Sequence, residues 1–207
     1  MNKTFSVLLI ITLVFGTLLF SSSRTIQANT TGTGIVLSQI QIAATGTGNA
    51  DQEFIELYNP ANSSVDMAGW RLTRKSSAGT QTTLVANISG TIAPHSYFLI
   101  AHPAFTDATV SPDITYSAST SAIANNNTVV LYSDAGTTVV DKVGFGIDPV
   151  TDVEGTQYGE NPPAGQSLVR KATTGSTPES LTTGGAEATQ GNGYDTDNNT
   201  NDFVLST

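Results

Sequence analysis

Hydrophobic and polar residues alternate along much of this chain with a period of two, which is the spacing of a β-strand whose two faces differ. In residues 34–42, Val36, Ile40 and Ile42 form a mostly apolar face, while Gln39 points the other way. Similar short runs recur, separated by turns rich in Gly, Pro, Asn, Asp and Ser, and no long stretch of helix-forming residues interrupts them. The pattern predicts an all-β protein.

The clearest local signal is a β-hairpin, in which two runs rich in β-branched residues flank a turn at residues 133–136. Residues 103–124 have no period and are predicted to form a long loop. Apart from residues 34–42, the predicted strands are residues 53–58, 65–73 with a bend at Gly69, 83–88, 97–102, 128–132, 137–145 and 166–171.

A long polar segment, residues 173–201, consists almost entirely of Thr, Gly, Ser, Asn and acidic residues. Such a segment buries too little apolar surface to offset the entropy lost on ordering, so we expect a loop or a partly disordered segment. Phe203 and Leu205 belong to the first apolar cluster after it. We expect Phe203 to anchor the tail on the folded domain as an added strand.

The first 28 residues predict a signal peptide, because Lys3 precedes an apolar run at residues 5–20 and the residues up to Ala28 are small and polar. The run is shorter than the roughly 20 residues of a membrane-spanning helix. Cleavage after Ala28 would leave residues 29–33 as a short linker and residues 34–207 as one domain. This predicts a secreted, extracellular protein without membrane insertion; an uncleaved N-terminal anchor is the alternative.

The charge and the cysteine content of the chain limit the kinds of partner and of chemical site that it can have. Cleavage after residue 28 would remove two basic residues and no acidic one, changing the formal charge from −9 to −11. An acidic surface disfavours nucleic acid as a partner, and the basic pairs at 74–75 and 170–171 fit solvated strand ends. The absence of cysteine excludes disulfides, thiolate metal sites and cysteine nucleophiles. Export without disulfides is typical of a bacterium.

Four motifs in series carry a family resemblance. Residues 53–60, E-F-I-E-L-Y-N-P, followed by V-D-M-A-G-W-R-L at 65–72, resemble the opening of a lamin tail domain. Residues 127–131 and 140–146 resemble the late hairpin of that family, residues 165–171 its closing strand, and residues 195–203 the acidic stretch that ends bacterial members. The resemblance implies an immunoglobulin-like β-sandwich without common catalytic residues.

The same resemblance implies an accessory or surface module. We therefore expect a non-catalytic binding or display protein, whose partner is a secreted or envelope protein or a cell-surface polymer. A hydrolytic pair of Glu53 and Glu56 is excluded, because residues three apart on a strand face opposite ways. The two histidines and the serines form no recognisable catalytic motif.

Oxygen-bearing side chains alternate near the C-terminus at Asp195, Asp197 and Asn199, and Asp202 follows. Such spacing suits a calcium loop, although the glycine and the bidentate glutamate of an EF-hand are missing. Two interpretations remain open: a calcium site, or side chains that cap the backbone of the loop. The first would allow a small calcium-assisted secreted hydrolase as the alternative function. No other cofactor is expected.

Three further residues are predicted to be structural. Trp70, the only tryptophan, is expected in the core between two sheets, and stacking on a sugar is the alternative. Glu56 needs hydrogen-bond donors if both faces of its strand are covered. Arg71, expected on a neighbouring strand, is its predicted partner.

Overall fold

The computed structural model describes residues 34–46, 49–107, 109–134 and 137–206. The predicted signal peptide, residues 1–28, and the linker, residues 29–33, lie outside the described residues. The described chain is all-β and forms a sandwich, as predicted. None of its helices is long and apolar enough to cross a membrane.

The larger sheet has six strands in the order β12-β11-β1-β2-β7-β8. All neighbouring pairs are antiparallel except β7 and β8, which are parallel. Its strands are β1 (Val36–Gln41), β2 (Phe54–Tyr58), β7 (Tyr97–Ala101), β8 (Ile114–Thr115), β11 (Leu168–Arg170) and β12 (Phe203–Leu205).

The smaller sheet has four antiparallel strands in the order β10-β9-β4-β5. Two short strands form a separate antiparallel pair. The strands of the smaller sheet are β4 (Trp70–Ser76), β5 (Gln81–Ile88), β9 (Asn127–Ser133) and β10 (Thr138–Phe145); the separate pair is β3 (Val65–Asp66) and β6 (Thr91–Ile92). The helices are short: a 3-10 helix at Asn49–Gln52, α1 (Pro178–Leu181) and α2 (Asn199–Asp202).

The core lies between the inward faces of the two sheets. Strict alternation places Ile55 and Leu57 of β2 inward, whereas Phe54 and Glu56 face outward. The buried apolar residues include Leu37, Ile40, Ile55, Leu57 and Ile100 from the larger sheet and Leu72, Val129, Leu131, Val143 and Phe145 from the smaller one.

One predicted strand is divided in two. Residues 65–73 were expected to form a single strand bent at Gly69, but β3 ends at Asp66 and β4 begins at Trp70. Gly69 has a φ of +82°, which is unfavourable for residues with a Cβ, and the Trp70 amide bonds the Met67 carbonyl at 2.9 Å. The tight turn therefore divides the predicted strand into β3, which pairs with β6, and β4, which pairs with β5.

Trp70 is not buried in the core, contrary to the prediction. Its position at the start of β4, directly after the turn, leaves it partly exposed at the end of the sheet, where it packs against the core from one side. The large buried side chains in the sandwich are instead Phe145, Phe203 and Arg170. Trp70 is thus a peripheral packing residue.

The tail follows the prediction at its end. Phe203 is 1% exposed, and β12 pairs antiparallel with β11 through Arg170 with Phe203 and Leu168 with Leu205. Residues 173–201 are mostly irregular, as expected, with α1 as a short capped turn in which the Thr177 side chain accepts from the Ser180 amide.

The expected partnership of Glu56 and Arg71 is wrong. Glu56 lies on β2, whose neighbours are β1 and β7, whereas Arg71 lies on β4 in the other sheet. The outward side chains of two stacked sheets point away from each other. The Arg71 guanidinium lies 5.2 Å from the centre of the Tyr132 ring, a cation–π contact on its own sheet.

Candidate functional site

The outer face of the six-stranded sheet carries two neighbouring cavities. The smaller sheet covers the inner face only, so the outward side chains of β1, β2 and β7 lie beneath two loop segments. Residues 104–107 and 109–113 cover one side and residues 178–192 the other. We call the depression between them the outer groove.

A β-bulge builds the floor of the outer groove. The register between β1 and β2 shifts between Leu37 and Gln39, which inserts Ser38 opposite Glu56. The Ser38 hydroxyl donates a hydrogen bond to Glu56 Oε1 at 2.8 Å. Burial raises the pKa of Glu56, and the Ser38 hydrogen bond offsets this only in part. A structural role was predicted for Glu56, but no pattern in the sequence indicated this bulge.

A cavity of about 230 Å³ lies over Glu56 and is here called the Glu56 cavity. Phe54 and Phe105 meet edge to face at 6.0 Å between ring centres on one wall. The Gln52 side chain fixes this wall, because its Nε2 donates to the Ala104 carbonyl at 3.0 Å and its Oε1 accepts from the Thr106 amide at 2.9 Å. The lining residues are Gln39, Phe54, Glu56, Leu99, Phe105, Asp107 and Val110.

A second cavity, of about 340 Å³, lies beneath the tail segment, and Gln39 borders both cavities. Asn192 holds the tail in place, because its Nδ2 donates to the Arg170 carbonyl at 2.7 Å and its Oδ1 accepts from the Tyr97 hydroxyl at 2.8 Å. The outer groove therefore extends across the sheet from Val110 to Leu181. Val110 is 50% exposed, so an apolar side chain remains open to a partner.

A second polar centre is inside the sandwich, around the Arg170 guanidinium, which is 0% exposed. Arg170 Nη2 binds Asp141 Oδ2 at 2.7 Å and Nη1 binds Asp195 Oδ1 at 3.0 Å, while Nε donates to the Leu37 carbonyl at 2.9 Å. The Phe203 ring packs 4.6 Å from the guanidinium carbon. The interpretation of residues 170–171 as a solvated strand end is wrong for Arg170, because alternation on β11 turns it inward.

Asp141 joins the two sheets through this centre. It lies on β10 of the smaller sheet, yet its Oδ2 accepts from the Leu37 amide on β1 at 2.6 Å as well as from Arg170. Its complete burial raises its pKa, while the neighbouring Arg170 guanidinium acts in the opposite direction. The only sequence signal for this role was one acidic residue inside an otherwise apolar strand.

The four residues predicted to bind a metal mostly contact protein groups. Asp195 binds Arg170, and Asp202 accepts from the Thr196 amide at 3.1 Å and the Asn198 amide at 3.2 Å. Asn199 donates to the Lys142 carbonyl at 3.0 Å and accepts from the Gly144 amide at 2.8 Å. The bonds to Asp202 are of the capping kind, whereas Asp195 binds a side chain and Asn199 binds the backbone of β10.

Asp197 is the fourth residue of that set. Its amide donates to Asp195 Oδ1 at 3.4 Å, and its φ is +57°. Within the described residues, no group of three or more His, Cys, Asp or Glu side chains is placed so that it could hold a metal ion.

Two further buried acids lie outside the outer groove. Glu53 is 0% exposed, and its Oε2 accepts from the Ile123 amide at 2.9 Å; burial raises its pKa to about 8. Burial, together with the neighbouring Asp141 and Asp195, raises the pKa of Glu154 to about 9. The nearby His102 Nε2 bonds the Ser119 carbonyl at 2.9 Å.

These two acids predict a loss of stability in alkali. A carboxyl whose pKa is higher in the folded than in the unfolded chain stabilises the fold fully below its unfolded value of about 4.5, and this contribution disappears as the pH rises through the folded value. We expect the urea concentration at the midpoint of unfolding to decrease as the pH rises from about 5 to about 9. Glu53→Gln and Glu154→Gln should each flatten that fall, and an unchanged slope in both variants would contradict the assignment.

Comparison with known proteins agrees with the observed sandwich. The family model of the lamin tail domain matches residues 28–146, which is more than half of the chain. No curated protein matches the sequence. The matched region contains β1 to β10, and the remaining strands, β11 and β12, extend the same six-stranded sheet.

Proposed function

The chain belongs to the lamin tail domain family, an immunoglobulin-like module family, and we propose that it is a secreted, non-catalytic binding module that holds a partner in the outer groove. We expect it to act outside the cell, because the first 28 residues fit a cleaved signal peptide. The partner we favour is another secreted or envelope protein.

The observation that carries this proposal is the construction of the outer groove. A sheet face that met only water would carry separate polar side chains, whereas here apolar walls surround one partly buried carboxyl. Binding sites typically combine apolar walls with a few placed polar groups. The walls are held by side-chain hydrogen bonds from Gln52 and Asn192, so the shape exists before a partner arrives.

A non-catalytic role fits the arrangement of the titratable groups. Glu53 and Glu56 face opposite sides of the larger sheet, so they cannot act on one substrate. The described part of the chain contains no metal cluster of acidic and histidine side chains. The hydrolase alternative is therefore less well supported than binding.

A matched pair of arginine substitutions tests the proposal. Leu99→Arg fills the Glu56 cavity with a charged side chain, whereas Ile147→Arg makes the same kind of change at a site that is 74% exposed and outside the outer groove. The immobilised variants are incubated with secreted and envelope protein fractions of the producing organism. We expect the wild type and Ile147→Arg to retain the same protein and Leu99→Arg to lose it.

We expect both variants to unfold cooperatively near the wild-type unfolding temperature. A difference in retention would then reflect binding and not a loss of folding. If all three proteins retained the partner equally, the outer groove would have no part in binding it. The proposal would then fail, even if the chain still bound something through another surface.

A further inference from the structure

The size of the Glu56 cavity restricts what it can hold. Pockets for whole small molecules usually measure about 300–1,000 Å³, and this cavity measures about 230 Å³. It suits a single side chain that projects from a larger partner. We propose that the Glu56 cavity takes a lysine side chain from an extended basic segment of a partner protein, an inference that rests on the proposed function above.

The walls of the cavity suit the aliphatic part of a lysine. Phe54, Leu99 and Phe105 line it with apolar surface, against which four methylene groups can pack while the ammonium group reaches the floor. The two phenylalanine rings also offer an aromatic surface to a cation. A polar uncharged side chain would lose its hydration on these walls without such compensation.

The floor presents one carboxyl that needs a cation. Glu56 Oε1 already accepts from Ser38, and no group in the described part of the chain donates a hydrogen bond to Oε2. A single available oxygen suits a compact ammonium group better than the planar fork of arginine, which pairs best with two carboxylate oxygens.

The basic residues of the domain are occupied elsewhere. Lys75 and Lys142 bind Asp152, Arg170 binds Asp141 and Asp195, and Lys171 donates to the Asn201 carbonyl. Arg71 and Arg74 lie on β4, in the opposite sheet. The cation for Glu56 is therefore expected to come from another molecule.

The rim adds charge complementarity. Asp107 Oδ1 accepts from the Thr109 amide and hydroxyl, each at 2.7 Å, and from the Val110 amide at 3.0 Å. These bonds lower the pKa of Asp107, so its carboxylate stays ionised at the mouth of the cavity. The chain has a net charge of −9, which attracts a basic segment and repels an acidic one.

The probe is an acetylated and amidated pentapeptide with one central lysine flanked by valine and threonine, compared with the same peptide carrying glutamine or arginine. Binding to the full chain is followed by the NMR shifts of the Ser38 and Leu99 amides. We expect the lysine peptide to bind on the order of tenfold more tightly than the glutamine peptide, the effect of one charge-assisted hydrogen bond. We also expect it to bind more tightly than the arginine peptide.

Glu56→Gln should abolish this preference while leaving the unfolding temperature equal to or above that of the wild type. In the wild type, lysine binding should strengthen as the pH rises through the raised pKa of Glu56. If Glu56→Gln does not fold, Phe105→Ala provides a second variant, which removes one wall and should weaken the lysine peptide more than the glutamine peptide.

The failures of this inference and of the proposed function are distinguishable. Equal affinity for the three peptides, or an undiminished lysine preference in Glu56→Gln, overturns the lysine assignment, while loss of the partner in Leu99→Arg still supports the outer groove. Self-association of the wild type that Leu99→Arg abolishes would place a second copy in the groove and also overturn it.

Discussion

Replacing Arg170 with methionine is expected to destabilise the domain by about 3–5 kcal/mol, as for other buried ion pairs that lose one partner. The variant leaves Asp141 and Asp195 buried without their cation and removes the donor to the Leu37 carbonyl. Because small domains have only about 5–15 kcal/mol of net stability, this loss would be a large fraction of the total. Urea unfolding followed by far-UV circular dichroism measures the effect.

Two companion variants identify the cause. Arg170→Lys keeps the charge but not the fork of donors, so we expect an intermediate loss of stability. Adding Asp141→Asn to Arg170→Met should recover part of the stability, because it removes one uncompensated buried charge. A loss of less than about 1 kcal/mol in Arg170→Met would show that the centre does not hold the sheets together.

Phe203→Ala is the second substitution with a large expected effect, a loss of about 3–5 kcal/mol for a fully buried aromatic side chain. The ring fills the core beneath the Arg170 guanidinium and begins β12, so its loss leaves a cavity beside a buried charge. Thermal and urea unfolding should both report the change.

Val204→Ala is the matched control on the same strand. Val204 faces outward into the second cavity and is partly exposed, so its truncation should cost much less than that of Phe203. Similarly small losses in the two variants would mean that β12 contributes mainly backbone pairing. Removal of residues 199–207, which also removes that pairing, should then be more harmful than either substitution.

The sequence predicted the parts of the fold that depend on local pattern. The hairpin of β9 and β10 could be placed because β-branched runs and turn residues are contiguous there. Strand β8 was missed inside the predicted loop, because two residues carry no period and Ile114 pairs with Ile100 only after the chain has returned to the sheet edge. The sequence could not distinguish a bend from a break in the strand at Gly69, because a glycine permits either.

The candidate site was less predictable than the fold. Alternation placed Glu56 on a face of β2, but the walls of its cavity come from Phe105 and Val110, whose approach depends on contacts distant in sequence. The sequence indicated an exposed strand end at Arg170, because charged residues are seldom buried without partners. The partners of Arg170 are Asp141 and Asp195, which are 29 and 25 residues away along the chain. No local pattern could specify either arrangement.

The joining of β1 to β11 also has a consequence for folding kinetics. The Arg170 to Leu37 hydrogen bond connects residues separated by 133 positions, and β1 lies between β2 and β11 in the sheet. Chains dominated by such distant contacts fold slowly, because loop closure must precede the stabilising contacts. During synthesis, β1 cannot complete its hydrogen bonding until β11 has emerged from the ribosome. One edge of β1 is thus expected to remain unpaired, and open to chaperones, until β11 has been made.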